Sequence, residues 1–307
     1  MKRIGVLLVL CVLASGCAAP LVLDDDNAAV VIPLVLGRDG HVIVQAMIDG
    51  HGPFRFALDT GASISVIFDF ALERAELELV EEERIAIQGM VGVGAFPLAT
   101  IADLTIGSES WTDARVAIMP GNNAVSNQFD GILGIDFLRR YAVGVSARDQ
   151  VVHLYPPQLV SERSYRGWTS ILMRELQIGA GDAALYTINL HINEKEIPAF
   201  LDLGAGSNLM NWHTARAIPV RPDKSERGTE LLGAISAVPV TAELEVDRFR
   251  IENIVWRNST FLISDFPIFE ALGLHESLIA IIGPGLFKQR DFVIDFERQR
   301  MLIGGRR

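Results

Sequence analysis

Two short stretches of the chain carry the same polar signature behind an apolar strand. One is Asp59-Thr60-Gly61-Ala62-Ser63 after Phe54-Arg55-Phe56-Ala57-Leu58, and the other is Asp202-Leu203-Gly204-Ala205 after Ile197-Pro198-Ala199-Phe200-Leu201. A lone aspartate near glycine is an ordinary turn residue. Two of them in repeated surroundings suggest more, because carboxyl groups a few ångströms apart cannot easily both ionise and so hold one proton between them. Such a pair can take a proton from water and give one to a neighbouring acceptor, and its titration belongs to the pair. The small residues Gly61-Ala62 and Gly204-Ala205 would let two backbones approach closely enough to form it. Other templates are absent. The six histidines form no His-Glu-x-x-His motif, and there is no Gly-x-Ser-x-Gly elbow and no phosphate loop, so neither a metal nor a cofactor is expected.

Strands must position these loops. From Val30 onward the chain is a succession of short alternating or β-branched segments: VIPLVL, HVIVQAMI, FRFAL, ISVIF, RIAIQ, LATIADLTI and ARVAIM. Turn chemistry separates them, as in Arg38-Asp39-Gly40, Asp49-Gly50-His51-Gly52-Pro53 and Pro120-Gly121-Asn122-Asn123. The pattern predicts an all-β protein with a few short helices near 70–76, 136–141, 213–217 and 285–290.

The strand pattern also repeats. Residues 42–67 (VIVQAMIDGHGPFRFALDTGASISVI) align with 186–211 (YTINLHINEKEIPAFLDLGAGSNLMN), which places the two aspartates 143 residues apart, at 59 and 202. Gly131-Ile132-Leu133-Gly134 follows the first, and Ile281-Ile282-Gly283 the second, at similar spacing. Between them, Ile87-Gln88-Gly89 leading to Phe96-Pro97-Leu98 is matched by Leu231-Leu232-Gly233 leading to Val238-Pro239-Val240. A duplicated unit is the expectation.

With these residues in view, residues 31–307 resemble a two-lobed bacterial aspartic protease, each half looking like one retropepsin lobe. The resemblance implies an all-β, two-lobed acid-protease fold from an internal duplication, with lobes at 31–165 and 166–307. It implies aspartic endopeptidase activity on an extended polypeptide, with Asp59 and Asp202 as the catalytic dyad. Thr60, Gly61, Ala62, Ser63, Gly204 and Ala205 would shape the dyad loops, and Ile132, Leu133, Gly134, Ile281, Ile282 and Gly283 would support them from beneath. The stretch Gly89-Met90-Val91-Gly92-Val93-Gly94 would form a hairpin flap over the cleft. The second half is poorer in glycine at Gly233-Ala234-Ile235-Ser236, so one principal flap is expected. Because one chain supplies both carboxylates, a monomer is expected.

One position departs from the family pattern. A Thr or Ser normally follows the aspartate and bonds backbone across to the opposite loop, and Leu203 cannot do so. The alternative is therefore a non-catalytic peptide-binding lipoprotein that keeps the fold. Asp136, in Gly-Ile-Asp-Phe-Leu, reads as a helix cap or surface residue.

The 307 residues are 50% hydrophobic and 21% charged, with 27 glycines, which excludes disorder and collagen-like repeats. A formal charge of −11 with no basic block argues against nucleic acid as a partner. The two cysteines, Cys11 and Cys17, sit at the extreme N-terminus and leave no disulfide for the body of the protein. Met1-Lys2-Arg3, the apolar run 4–14 and Ser15-Gly16-Cys17 read as a basic region, a hydrophobic region and a small-residue cleavage zone, too short to span a bilayer. Small residues before Cys17 resemble a bacterial lipobox. That implies lipidation of Cys17 and a membrane anchor, with Ala18 after it implying the outer membrane facing the periplasm. On this reading 1–17 is a signal peptide and 18–30 a tether, Asp24-Asp25-Asp26 included.

Overall fold

Alternating apolar residues need two faces to cover, and the chain meets that need by curling each half into a closed sheet. The computed structural model describes every residue except 1–22, 24–26, 38, 79, 90–91, 122–125, 161–164, 179–183, 220–222, 225–229, 233–236 and 306–307. In the first half the strands run, in spatial order, Val42–Ile48, His51–Leu58, Gly131–Leu133, Val66–Phe68, Glu109–Met119, Gly92–Ile106 and Val80–Gly89. Pairing of Met47 with Thr105 and of Ile48 with Leu104 closes this sheet on itself. The second half repeats the order with Ala184–Ile192, Lys195–Leu201, Ala280–Ile282, Asn208–Met210, Ile254–Ile263 and Ala242–Ile251, closed by His191 and Ile192 against Arg250 and Phe249.

The repeat extends to the direction of pairing. The aspartate-bearing strand His51–Leu58 runs parallel to Gly131–Leu133 with Leu58 opposite Leu133. Its counterpart Lys195–Leu201 runs parallel to Ala280–Ile282 with Leu201 opposite Ile282. Parallel pairing puts the ends of both strands, and the loops leaving them, at the same edge of the sheet.

A six-stranded sheet joins the halves, in the order Thr169–Leu172, Arg300–Ile303, Phe292–Asp295, Ala142–Ser146, Val151–Tyr155 and Val30–Leu36. Its central contact is antiparallel pairing of Phe292–Asp295 from the second half with Ala142–Ser146 from the first. The largest apolar cluster runs through both halves, from Ile32, Phe54 and Leu133 to Leu203, Ile282 and Ile303. At about 25 cal/mol per Å² of apolar surface removed from water, a shared core of this kind makes relative motion of the halves costly.

The short helices fall where the spacing places them: Leu72–Ala75 after a 3₁₀ turn, Ile135–Leu138, Trp212–Ala217 and a 3₁₀ turn at Pro284–Phe287. Pro267–Ala271 is a helix the sequence reading omitted, because five residues carry too little period to show. Leu23, inside the segment read as a tether, is 5% exposed and packs with Ala142, Tyr155 and Trp168 against the joining sheet. Ala29 donates its N–H to Leu154 at 2.7 Å. An apolar leucine gains more by burial than by hydration, so the chain docks on the fold before the first strand begins.

Candidate active site

Each aspartate leaves the end of its strand on a fixed backbone. Asp59 donates its N–H to the Leu133 carbonyl and Asp202 to the Ile282 carbonyl, both at 3.0 Å. The two loops meet across the boundary between the halves, and the carboxyl groups lie within hydrogen-bonding contact of each other. Their closeness depends on glycine. A Cβ on Gly61 would sit 2.6 Å from Cγ and Oδ2 of Asp202, and one on Gly204 would sit 2.6 Å from Oδ1 of Asp59 and closer still to its Cγ.

Backbone donors orient the carboxylates. Asp59 Oδ1 accepts the N–H groups of Gly61 at 2.7 Å and Ala62 at 3.1 Å, and Asp202 Oδ1 accepts that of Gly204 at 2.8 Å. Burial raises both carboxyls above an isolated aspartate's affinity for protons. Asp202 stands well above it, through burial first and then through the charge of Asp59 and the hydrogen bond to it. For Asp59 that hydrogen bond, the Gly61 and Ala62 N–H groups and the nearby His41 pull back towards the ionised form. The two carboxyls therefore hold a shared proton more tightly than an isolated aspartate would, and they titrate as a unit.

Thr60 links the two loops. Its hydroxyl, 1% exposed, donates to the Leu201 carbonyl at 2.6 Å and accepts the Leu203 N–H at 3.0 Å. Leu203 returns no such bond; its side chain is fully buried in the core shared by the halves. The departure in the sequence thus replaces a polar link with apolar packing.

The apolar-apolar-Gly segments touch both loops through backbone contacts. Ile135 donates its N–H to the Ala62 carbonyl at 2.8 Å. Gly134 passes so close to the backbone that a Cβ would stand 2.8 Å from the Ala62 oxygen and the Ile64 carbonyl, and Gly283 lies equally tightly on the Ala205 carbonyl. Ser63 sits half-buried on its loop.

Ser65 was not singled out by the sequence, yet it braces this loop. Its N–H and hydroxyl donate to the Asp136 carboxylate at 2.8 and 2.7 Å, while its oxygen accepts the Gly134 N–H at 3.0 Å. Asp136 is therefore neither a helix cap nor a surface residue. Burial raises its proton affinity against the opposing pull of the Ser65 bonds. In the second half Asn208 takes the Ser65 place and accepts the Gly283 N–H at 3.2 Å. The Ser65–Asp136 pairing had a readable trace, since Asp136 follows the repeated glycine, but contact between residues this distant in sequence shows only in the fold.

The glycine-rich stretch forms the expected hairpin, with Val80–Gly89 paired to Gly92–Ile106 and Gly89 opposite Gly92. Its tip, Met90 and Val91, lies outside the described residues. Behind it, Ile85, Ile87 and Phe96 pack half-buried with Ala62 and Ile64 on a cluster containing Phe68, Met119 and Phe129. The corresponding hairpin of the second half, Glu230–Leu232 with Ala237–Pro239, is a separate two-stranded ladder. Cys17 also lies outside the described residues. Among the described residues no cluster of His, Cys, Asp or Glu suits a metal ion, and no helix is long and apolar enough to cross a membrane.

Comparison with known protein families matches each half independently. Residues 44–140 match the gag-polyprotein aspartyl protease family model, and residues 188–283 match the model described as aspartyl protease. Each span contains one of the two paired aspartates. No curated protein matches the chain.

Proposed function

This chain belongs to the retropepsin-like aspartic proteases, and from that premise we propose that Asp59 and Asp202 form its catalytic dyad, cleaving extended polypeptide in the bacterial cell envelope. The chain is an aspartic-type peptidase with a polypeptide substrate. What carries the finer reading is that two buried carboxyls from the two repeats are in hydrogen-bonding contact, each against a glycine of the other loop.

The chemistry follows from one shared proton. The ionised member takes a proton from a water held between the carboxyls as its oxygen attacks the scissile carbonyl, and the protonated member gives its proton to the carbonyl oxygen. The resulting diol collapses when its hydroxyl proton returns to one carboxylate and the other carboxyl protonates the departing nitrogen. The dyad ends as it began, with one proton. A raised upper titration keeps that singly protonated form populated to less acidic pH than an isolated aspartate would allow. The Val80–Gly89 and Gly92–Ile106 hairpin supplies backbone groups for an extended substrate and excludes water when it closes.

Leu203 does not favour the non-catalytic reading. The Thr60 hydroxyl still bonds the opposite loop on both sides of Asp202, at the Leu201 carbonyl and the Leu203 N–H, and the leucine side chain fills core space instead of disturbing either carboxylate. Envelope location rests on Lys2, Arg3, the apolar run after them and Cys17 as a lipidation site. The supply of both carboxylates by one chain supports action as a monomer.

The test is cleavage of a diverse peptide library by the fragment beginning at Ala18, between about pH 4 and about 8 to bracket a raised carboxyl pair, beside Asp59→Asn and Asp202→Asn. Loss of cleavage in either variant is expected. Peptide binding by the wild type without cleavage at any pH would establish the non-catalytic module instead.

A further inference from the structure

A two-fold arrangement of loops would carry two linking hydroxyls, and this protein has one. The Thr60 hydroxyl makes its pair of bonds into the second loop, whereas the reciprocal pair is lost because residue 203 is leucine. A different side chain reaches across from the first half to the second loop. His41 is 2% exposed and its Nε2 lies 2.9 Å from the Gly204 carbonyl oxygen. A carbonyl oxygen only accepts, so Nε2 carries the proton and donates.

Its surroundings are built for this contact. His41 ends the turn that begins at Gly37, closed by Gly37 N–H to the His41 carbonyl at 2.8 Å and Gly40 N–H to the Gly37 carbonyl at 3.0 Å. The turn leans on the second half: Gly40, at φ +91°, approaches Gly285 and the Lys288 side chain, and Gly206 approaches Asp39. The imidazole stands edge-on to Phe129 with centroids 5.8 Å apart, and its Nδ1 is buried without a hydrogen-bond partner among the described residues. An apolar side chain would suit that pocket as well, so what histidine adds there is polar: the hydrogen bond to Gly204, and beside it the pull of the ring on Asp59 towards the ionised form.

Gly204 is the residue where such a bond has leverage. Its N–H holds Asp202 Oδ1 at 2.8 Å and its Cα lies against the Asp59 carboxyl, so the peptide from 204 touches both members of the pair. We propose that His41 is a positioning residue of the dyad, holding the Gly204 peptide from the opposite half and taking over the cross-lobe link that Leu203 cannot make. This rests on the dyad reading of Asp59 and Asp202. In this role His41 acts through Gly204.

Two substitutions separate the hydrogen bond from the packing and from the charge of the ring. His41→Leu fills the pocket and removes the donor; His41→Gln restores an N–H donor at a similar reach without an ionisable group. The protein as isolated from the cell is measured for kcat and KM on a peptide that the wild type cleaves. The two carboxyl titrations are followed by ¹³C NMR, and melting temperature verifies folding. His41→Leu lowers kcat by about tenfold to a hundredfold, the usual cost of misplacing reacting groups by about 1 Å, with KM nearly unchanged. It also brings the two titrations closer together, because the carboxyls drift apart. His41→Gln recovers most of both effects. A folded His41→Leu protein with wild-type kcat and wild-type titrations overturns the proposal. So does His41→Gln behaving like His41→Leu, which would assign the effect to ring packing or charge. If the wild type cleaves nothing, the dyad reading fails separately, and the spacing of the carboxyl titrations alone decides whether His41 sets their approach.

Discussion

Adding one carbon at Gly204 should disable the site while leaving every polar group in place. The alanine Cβ would stand 2.6 Å from Asp59 Oδ1 and nearer still to Cγ and Oδ2. Carbon and its non-bonded neighbours rest about 3.5–4.0 Å apart, so the two loops must separate by about 1 Å. Asp59 cannot swing aside to make room, because its Oδ1 is held by the Gly61 and Ala62 N–H groups. Nor can the Gly204 peptide retreat freely, since its N–H holds Asp202 and its carbonyl is bonded to His41. A displacement of about 1 Å between reacting groups costs about a hundredfold in kcat, equivalent to about 2.7 kcal/mol in the barrier. Forcing a methyl into packed surroundings should lower stability by about 1–3 kcal/mol as well. The assay pairs steady-state kcat on a cleaved peptide with urea unfolding, which keeps the folded fraction known. Gly61→Ala should act alike, since its Cβ would stand 2.6 Å from the Asp202 carboxyl. Gly305→Ala, with nothing within 4 Å, serves as the neutral comparison. If folded Gly204→Ala keeps kcat within about threefold of wild type, less than 1 kcal/mol in the barrier, then close approach of the loops is not what sets the dyad.

Asp202→Asn should have opposite effects on activity and stability. A carboxyl whose proton affinity is raised by folding stabilises the fold below its unfolded value of 3.8 and loses that contribution as pH rises through the folded value. The asparagine variant, which cannot ionise, should therefore melt progressively higher than wild type from acid to neutral pH while cutting nothing, by about 1.4 kcal/mol for each tenfold rise in proton affinity; a pH-independent difference in melting temperature would refute this. Thr60→Val leaves the Leu203 N–H and the Leu201 carbonyl without their partner, at about 1–3 kcal/mol for each buried group, and Thr60→Ser should recover most of the loss in urea melts. Ser65→Ala should lower kcat and cost about 1–3 kcal/mol by releasing both Asp136 and the Gly134 N–H; unchanged unfolding and kinetics would remove Ser65 from the support of the loop.

The features legible beforehand are those that recur locally. Alternating residues announce strands because side chains of a strand point to opposite faces, and the doubled Asp-x-Gly-Ala, apolar-apolar-Gly order exposes the duplication without any knowledge of contacts. The short helix at Pro267–Ala271 escaped because it spans little more than one turn. Leu23 was read as part of a tether because the acidic residues around it dominate the local composition, whereas it is buried among side chains such as Ala142, Tyr155 and Trp168, more than 100 positions away.

The site divides in the same way. Residue types at 59–63 and 202–205 already imply two carboxyls on close-packing loops, and Leu203 already marks the second loop as unlike the first. No local pattern reveals that Ser65 meets Asp136, that Leu203 is absorbed into the core, or that His41 reaches Gly204 across 163 residues of chain. A repeat in sequence dictates that two similar loops exist; only closure of both sheets and their joining through Ala142–Ser146 and Phe292–Asp295 brings those loops face to face. The proton affinities follow from that last step alone. Desolvation and mutual repulsion act over a few ångströms, and it is the tertiary structure that brings Asp59 and Asp202 within that range.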